Sequence, residues 1–151
     1  MLTLRSLRMR AEAPSVSAEI LLLSDKDQDI RLVRGAAKTS HVNVVGDCPD
    51  VLSFLRRESR FIDSPRPDLI LLDLDLSNPE HCDALREIKG EDAFRRIPVI
   101  VMAANDSPAI IQDAYNLHAN AYVVKPKEPE DFVRLIDTTL TFWLKLARLP
   151  N

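Results

Sequence analysis

Long apolar stretches are missing from this chain: in 151 residues no run approaches the roughly 20 needed to cross a bilayer. A membrane role is therefore not expected. Cysteine is scarce as well. Cys48 and Cys82 lie far apart and form no CxxC pattern. They read as reduced thiols of a cytoplasmic protein, with no disulfide framework. His41, His81 and His118 share no metal-ligand spacing, so no zinc-type centre is expected. Positive charge is not in excess either. The net charge of −3 argues against nucleic acid as the main partner. The opening MLTLRSLRMR is basic and lightly amphipathic but lacks the continuous apolar core and cleavage site of a secretory signal. Residues 1–18 are expected to be a mobile leader, with a transit peptide or a lipid-facing helix as the alternative, and residues 19–151 to form one domain.

Against these absences stand five short apolar runs: EILLLSD, HVNVVGD, DLILLDL, IPVIVMA and AYVVKP. They are rich in Ile, Val and Leu, and several lack polar alternation, as parallel strands covered on both faces do. Segments of helical period lie between them. Ile30, Val33 and Ala37 share one face of the first; Val51, Phe54 and Leu55 line the second; Leu85 and Ile88 mark the third. Pro49 and Asp50 suit a helix start, as do Ser107 and Pro108 at N-cap and first position. Strands alternating with helices predict an open α/β sheet with right-handed crossovers. Ligands of such sheets bind outside the carboxyl ends of the strands.

Those ends carry Ser24 and Asp25 after the first strand, Asp73 after the third, Ala103 and Ala104 after the fourth, and Lys125 after the fifth. A buried carboxylate costs several kcal/mol unless paired, so Asp73 at the end of LILLD points to a site that wants negative charge. Two carboxylates and a lysine suit phosphoryl transfer. A carboxylate can be the nucleophile. Magnesium takes one or two carboxylates and fills its shell with water and phosphate oxygens. A lysine neutralises the charge that gathers on the phosphoryl oxygens. An ordinary ion pair between Asp73 and Lys125 is compatible with that role, because an incoming phosphoryl group would replace it.

ILLLSDKDQDIRL, DLILLDLDL, RRIPVIVMAAND and NAYVVKP resemble the receiver domain of two-component response regulators over about residues 19 to 147. The stretches AYNLHANAYVVKP and FWLKLARLP are similar to the single-domain regulators of bacterial and cyanobacterial phytochromes. The resemblance implies a flavodoxin-like (CheY-like), doubly wound, five-stranded parallel sheet of order 2-1-3-4-5 with helices on both faces. It also implies Asp73 as phosphoacceptor, Asp25 as a magnesium ligand, and Lys125 as the lysine that accompanies them. Asp75 would offer its backbone carbonyl to the metal, and Tyr122 would be the aromatic residue that rotates on switching. The implied partner is a sensor histidine kinase of the phytochrome type.

Three departures bear on that site. Ser24 stands where the family has the first of two acids, which implies weak magnesium binding. Ala103 replaces a Thr or Ser whose hydroxyl bonds the phosphoryl group and draws the aromatic residue inward. Ser77 and His81 replace Pro and Gly, so the loop after Asp73 is expected to be reshaped. Asp75 either restores part of the charge lost at Ser24 or is a solvated loop acid. The reading is a stand-alone receiver, a signalling protein rather than an enzyme, acting through protein contacts or as a relay or sink for phosphate. The alternative is a degenerate receiver that binds proteins with little or no phosphorylation. A flavin-binding relative fits poorly, because the acidic, glycine-free loop SDKDQD would repel a phosphate.

The last helix is expected from Glu130 to Arg148, roughly 28 Å at 1.5 Å per residue. Phe132, Leu135, Ile136, Leu140, Trp143 and Ala147 supply its buried face, and Phe142, Leu144 and Leu149 fall off it. The phytochrome-partner resemblance implies a homodimer through Phe142, Trp143 and Leu144. The alternative is a helix end that folds back onto its own domain.

Overall fold

The computed structural model describes residues 17–150, so the expected leader lies almost wholly outside the described residues. Five strands form one sheet: β1 (Glu19–Leu23), β2 (His41–Val45), β3 (Leu69–Asp73), β4 (Val99–Ala103) and β5 (Ala121–Val124). All neighbours are parallel, in the order β2-β1-β3-β4-β5. Five α-helices connect and flank them: α1 (Asp27–Ala36), α2 (Cys48–Arg56), α3 (Pro79–Gly90), α4 (Pro108–Asn116) and α5 (Pro129–Thr141). The flavodoxin-like sheet expected from the sequence is the sheet observed.

Proline sets the helix starts. α2 to α5 each carry one in their first two positions, where the missing N–H is an orphan anyway. Asp47 caps α2 by accepting from the Asp50 N–H at 2.9 Å, and Asn78 caps α3 by accepting from the Glu80 N–H at 2.9 Å. Glycine is rare, and other residues take left-handed backbone in its place: Arg57 (φ 56°) closes α2, and His118 (φ 69°) turns the chain into β5.

Alternate residues of the central strands serve two separate cores. Ile70 and Leu72 of β3 join Val51, Phe54, Leu85, Ile88 and Ala114 under α2 to α4. Leu69 and Leu71 join Val33, Phe132, Ile136 and Leu140 under α1 and α5. Full burial on both faces explains why these strands read as unbroken apolar runs.

The end of the chain departs from expectation. α5 stops at Thr141, and Phe142–Leu146 forms a π-turn closed by the Ala147 N–H donating to the Phe142 carbonyl at 2.7 Å. Leu144 is not off the buried face, because it continues the i+4 series of Phe132, Ile136 and Leu140. Trp143 and Leu144 both pack on the α1–α5 core. The large apolar side chains left in water here are Phe142 and Leu146, 49% and 68% exposed. Leu149 is half-buried.

Candidate functional site

The carboxyl ends of the strands open into a cleft of about 610 Å³. Asp25, Asp73, Asp75, Ala103 and Lys125 all line it. Asp73 ends β3 one step beyond Leu72, in the side-chain series of Leu69 and Leu71, and so faces the α1 side of the sheet. Its Oδ2 accepts from Lys125 Nζ at 3.1 Å and from Lys26 Nζ at 3.1 Å. Among the described residues, Asp73 Oδ1 has no hydrogen-bond partner. One oxygen of the carboxylate is fastened and the other is free to react.

Lys125 also donates to Asp29 Oδ2 at 2.9 Å, so it bridges two carboxylates. Its side chain is 13% exposed. Burial works against its charge, but the hydrogen bond to Asp29 and the charge of Asp73 outweigh burial and hold its pKa above the usual lysine range. The backbone is fixed as well, with the Lys125 N–H donating to the Ala103 carbonyl at 2.8 Å.

Asp29 and Lys26 were not legible as site residues. Asp29 sits in the first turn of α1, where an acid also suits the helix dipole, next to the apolar face of Ile30 and Val33. The available signal was the alternation of acids in SDKDQD. Ser24 is buried, and its hydroxyl accepts from the Lys26 N–H at 3.2 Å. Asp25 is exposed on the rim and has no hydrogen-bond or ion-pair partner among the described residues.

The loop after Asp73 is rebuilt. Asp75 Oδ1 accepts from the Ser77 hydroxyl at 2.6 Å and the Ser77 N–H at 3.0 Å, which together hold its pKa below the usual carboxylate range. The side chain is thereby turned to its own loop, and the backbone carbonyl accepts from the Asn78 N–H at 2.9 Å. His81 needs no left-handed backbone, since Asn78 and Pro79 start α3 early and place it in the first turn. Its Nδ1 accepts from the Asp75 N–H at 2.8 Å, which puts the ring proton on Nε2.

On the other side of the sheet, Ala103 is 6% exposed and offers no hydroxyl to the cleft. Tyr122 packs on the α2–α4 core, donates its hydroxyl to the Asn105 carbonyl at 2.6 Å, and donates its backbone N–H to the Tyr115 hydroxyl at 3.1 Å. Burial, with Asp75 and Asp106 nearby, pushes the Tyr122 phenol up.

A profile of the response regulator receiver domain matches residues 20–137. The chain belongs to the response regulator receiver family. Response regulator Rcp1 of Synechocystis sp. is 34% identical to this receiver over 135 residues, 87% of this chain and 92% of Rcp1. The crystal structure of the Mn(2+)-bound form of Rcp1 superposes with a TM-score of 0.81 at 33% identity, covering 89% of this chain and 99% of that one. The phosphorylated cyanobacterial phytochrome response regulator RcpA gives a TM-score of 0.83 at 33% identity, covering 90% and 100%. This receiver is thus a component of phosphorelay signalling, and the comparisons lend nothing to the degenerate alternative.

Among the described residues no helix is long and apolar enough to cross a membrane. Nor do three His, Cys, Asp or Glu side chains gather there as a metal cluster. A hard cation of the magnesium class does not need three. The Asp25 carboxylate and Asp73 Oδ1, both on residues that line the cleft and without hydrogen-bond partners among the described residues, suit an ion that completes its shell with water and phosphate oxygens.

Proposed function

We propose that Asp73 accepts a phosphoryl group from the phosphohistidine of a sensor kinase of the phytochrome class, in the cytoplasm, and that the chain acts by protein contact rather than as an enzyme. The observation that carries this reading is the asymmetry of Asp73, a residue that lines the cleft: Oδ2 is held by Lys125 and Lys26, while Oδ1 has no hydrogen-bond partner among the described residues. Oδ1 attacks phosphorus, the P–N bond to the kinase histidine breaks with its electron pair returning to the imidazole, and a P–O bond forms. Lys125 lies where charge builds on a phosphoryl oxygen, and Asp29 keeps the ammonium there when its bond to Asp73 loosens.

Asp25, Asp73 and the Asp75 carbonyl would hold the divalent cation, magnesium by preference, though weakly because Ser24 contributes no charge. When bound, that cation neutralises phosphoryl oxygens during transfer. The manganese in the Rcp1 structure supports such a site. The kinase class rests on the likeness to Rcp1 and to the phytochrome regulator RcpA.

Self-association belongs to the same reading. Phe142 and Leu146 expose apolar surface at the end of α5, and the Phe142 ring meets Trp143 edge-on at 5.1 Å, which braces it outward. A two-fold contact through this patch is the proposed dimer. Incubation with acetyl phosphate and magnesium, read by intact mass, tests the central claim. A single added phosphoryl group is expected, and a chain that stays unlabelled would return the reading to the degenerate receiver.

A further inference from the structure

Lys26 occupies a place that phosphoryl transfer to Asp73 does not by itself require. Its side chain is 58% exposed, yet its ammonium ends 3.1 Å from Asp73 Oδ2, the oxygen that Lys125 already holds. A freely solvated lysine has no reason to converge on a second ammonium unless the local field is strongly negative. Asp25, Asp29 and Asp73 supply that field, and the two lysines reduce it to one net negative charge. Ser24 completes the arrangement. It brings no charge of its own, and its buried hydroxyl receives the Lys26 N–H at 3.2 Å, fixing the backbone from which Lys26 reaches in. An acid at 24 would add to the demand for a divalent ion, whereas Ser24 with Lys26 lowers it.

We propose that the Lys26 ammonium is the resident cation of this site: it competes with a divalent ion for Asp73 and, on phosphorylation, pairs with a phosphoryl oxygen in that ion's stead. Phosphoryl transfer to this receiver is then only weakly dependent on divalent metal. The proposal rests on the reading of Asp73 as phosphoacceptor and adds the source of the positive charge. Lys26 touches the reacting carboxylate directly. Its exposure means that substitution leaves the two cores intact.

The test compares the wild-type chain with Lys26→Gln, which removes the charge, and Lys26→Arg, which keeps it. Mn2+ affinity is measured from the EPR signal of the free ion. Labelling by acetyl phosphate is followed by intact mass, once with Mg2+ and once with EDTA. Lys26→Gln is expected to bind Mn2+ about tenfold more tightly than wild type, ~1.4 kcal/mol. Wild type is expected to keep its labelling rate in EDTA within about fivefold, while Lys26→Gln falls about a hundredfold and Lys26→Arg follows wild type. Both effects are required. Equal Mn2+ affinity in wild type and Lys26→Gln, or an equal loss of labelling in EDTA, overturns the proposal alone. A chain that takes no label under any condition overturns the phosphoacceptor reading and this proposal with it.

Discussion

The hydroxyl of Tyr122 donates to the backbone carbonyl of Asn105 at 2.6 Å. This bond ties β5 to the loop after β4, on the side of the sheet away from Asp73. The neighbouring strand end is Ala103, which has nothing to offer a phosphoryl group and so nothing to pull this loop toward the cleft. Beryllofluoride binding should therefore leave the Tyr122 ring resonances nearly unmoved in NMR spectra. In Ala103→Thr the same ligand should shift them clearly. Large shifts in the wild-type chain would show that Ala103 does not uncouple the two.

Labelling should be confined to Asp73. Asp73→Asn removes the free Oδ1 nucleophile and should take no label from acetyl phosphate. Asp75→Asn should label normally, because the Asp75 side chain is engaged with Ser77 in its own loop. Full labelling of Asp73→Asn in an intact-mass experiment would sink the assignment.

Ser24→Asp adds a carboxylate to a site whose unpaired carboxylate oxygens belong to Asp25 and to Asp73 Oδ1. Divalent-ion binding should tighten by about tenfold, since each carboxylate contributes directly to a hard cation. Calorimetric titration with Mg2+ reads this. No gain would mean that water or the Asp75 loop already supplies what Ser24 lacks.

Lys89 is the fastening at the opposite end of the sheet. Its ammonium donates to the carbonyls of Arg95 and Ile97 at 3.0 and 2.9 Å and to Asn120 Oδ1 at 2.7 Å; the same Asn120 oxygen accepts the first N–H of β4. Lys89→Met orphans these acceptors and should lower unfolding free energy by about 1–3 kcal/mol at pH 7. Burial pushes the Lys89 pKa down to about 8. The unfolded chain holds this proton until roughly pH 10.4, so between these values it binds more protons than the native state. Stability from this group then rises with pH, and the gap between wild type and Lys89→Met should widen from pH 8 to 10 in urea titrations. A constant gap would show that the lysine does not lose its proton early.

Phe142→Glu should abolish self-association and leave the melting temperature unchanged, because Phe142 makes its contact outside the core. Sedimentation at tens of micromolar checks this. A wild-type chain that sediments as a monomer rules the dimer out. Cutting the chain before Phe142 is the poorer test, since it also strips Trp143 and Leu144 from the α1–α5 core.

The fold was legible because the strands are buried on both faces, and such strands announce themselves as Ile-, Val- and Leu-rich runs that end in charge. Asp73 and Lys125 could be found by the same rule, as polar residues at the carboxyl edge. Asp29 and Lys26 could not. A helix-start acid and a loop lysine look like ordinary solvated charges until the strands bring β5 beside α1. The π-turn was hidden for another reason: Trp143 and Leu144 suit an α-helix equally well, and the extra residue in the turn leaves no mark in the pattern.

The sheet is also a partition. Asp73, Lys125 and Lys26 meet on the side of α1 and α5, while Tyr122 and its tether to Asn105 belong to the side of α2 to α4. The two sides meet at the strand ends, where the Lys125 N–H donates to the Ala103 carbonyl. Substitutions around Tyr122 can therefore accumulate while the carboxylates opposite keep their spacing.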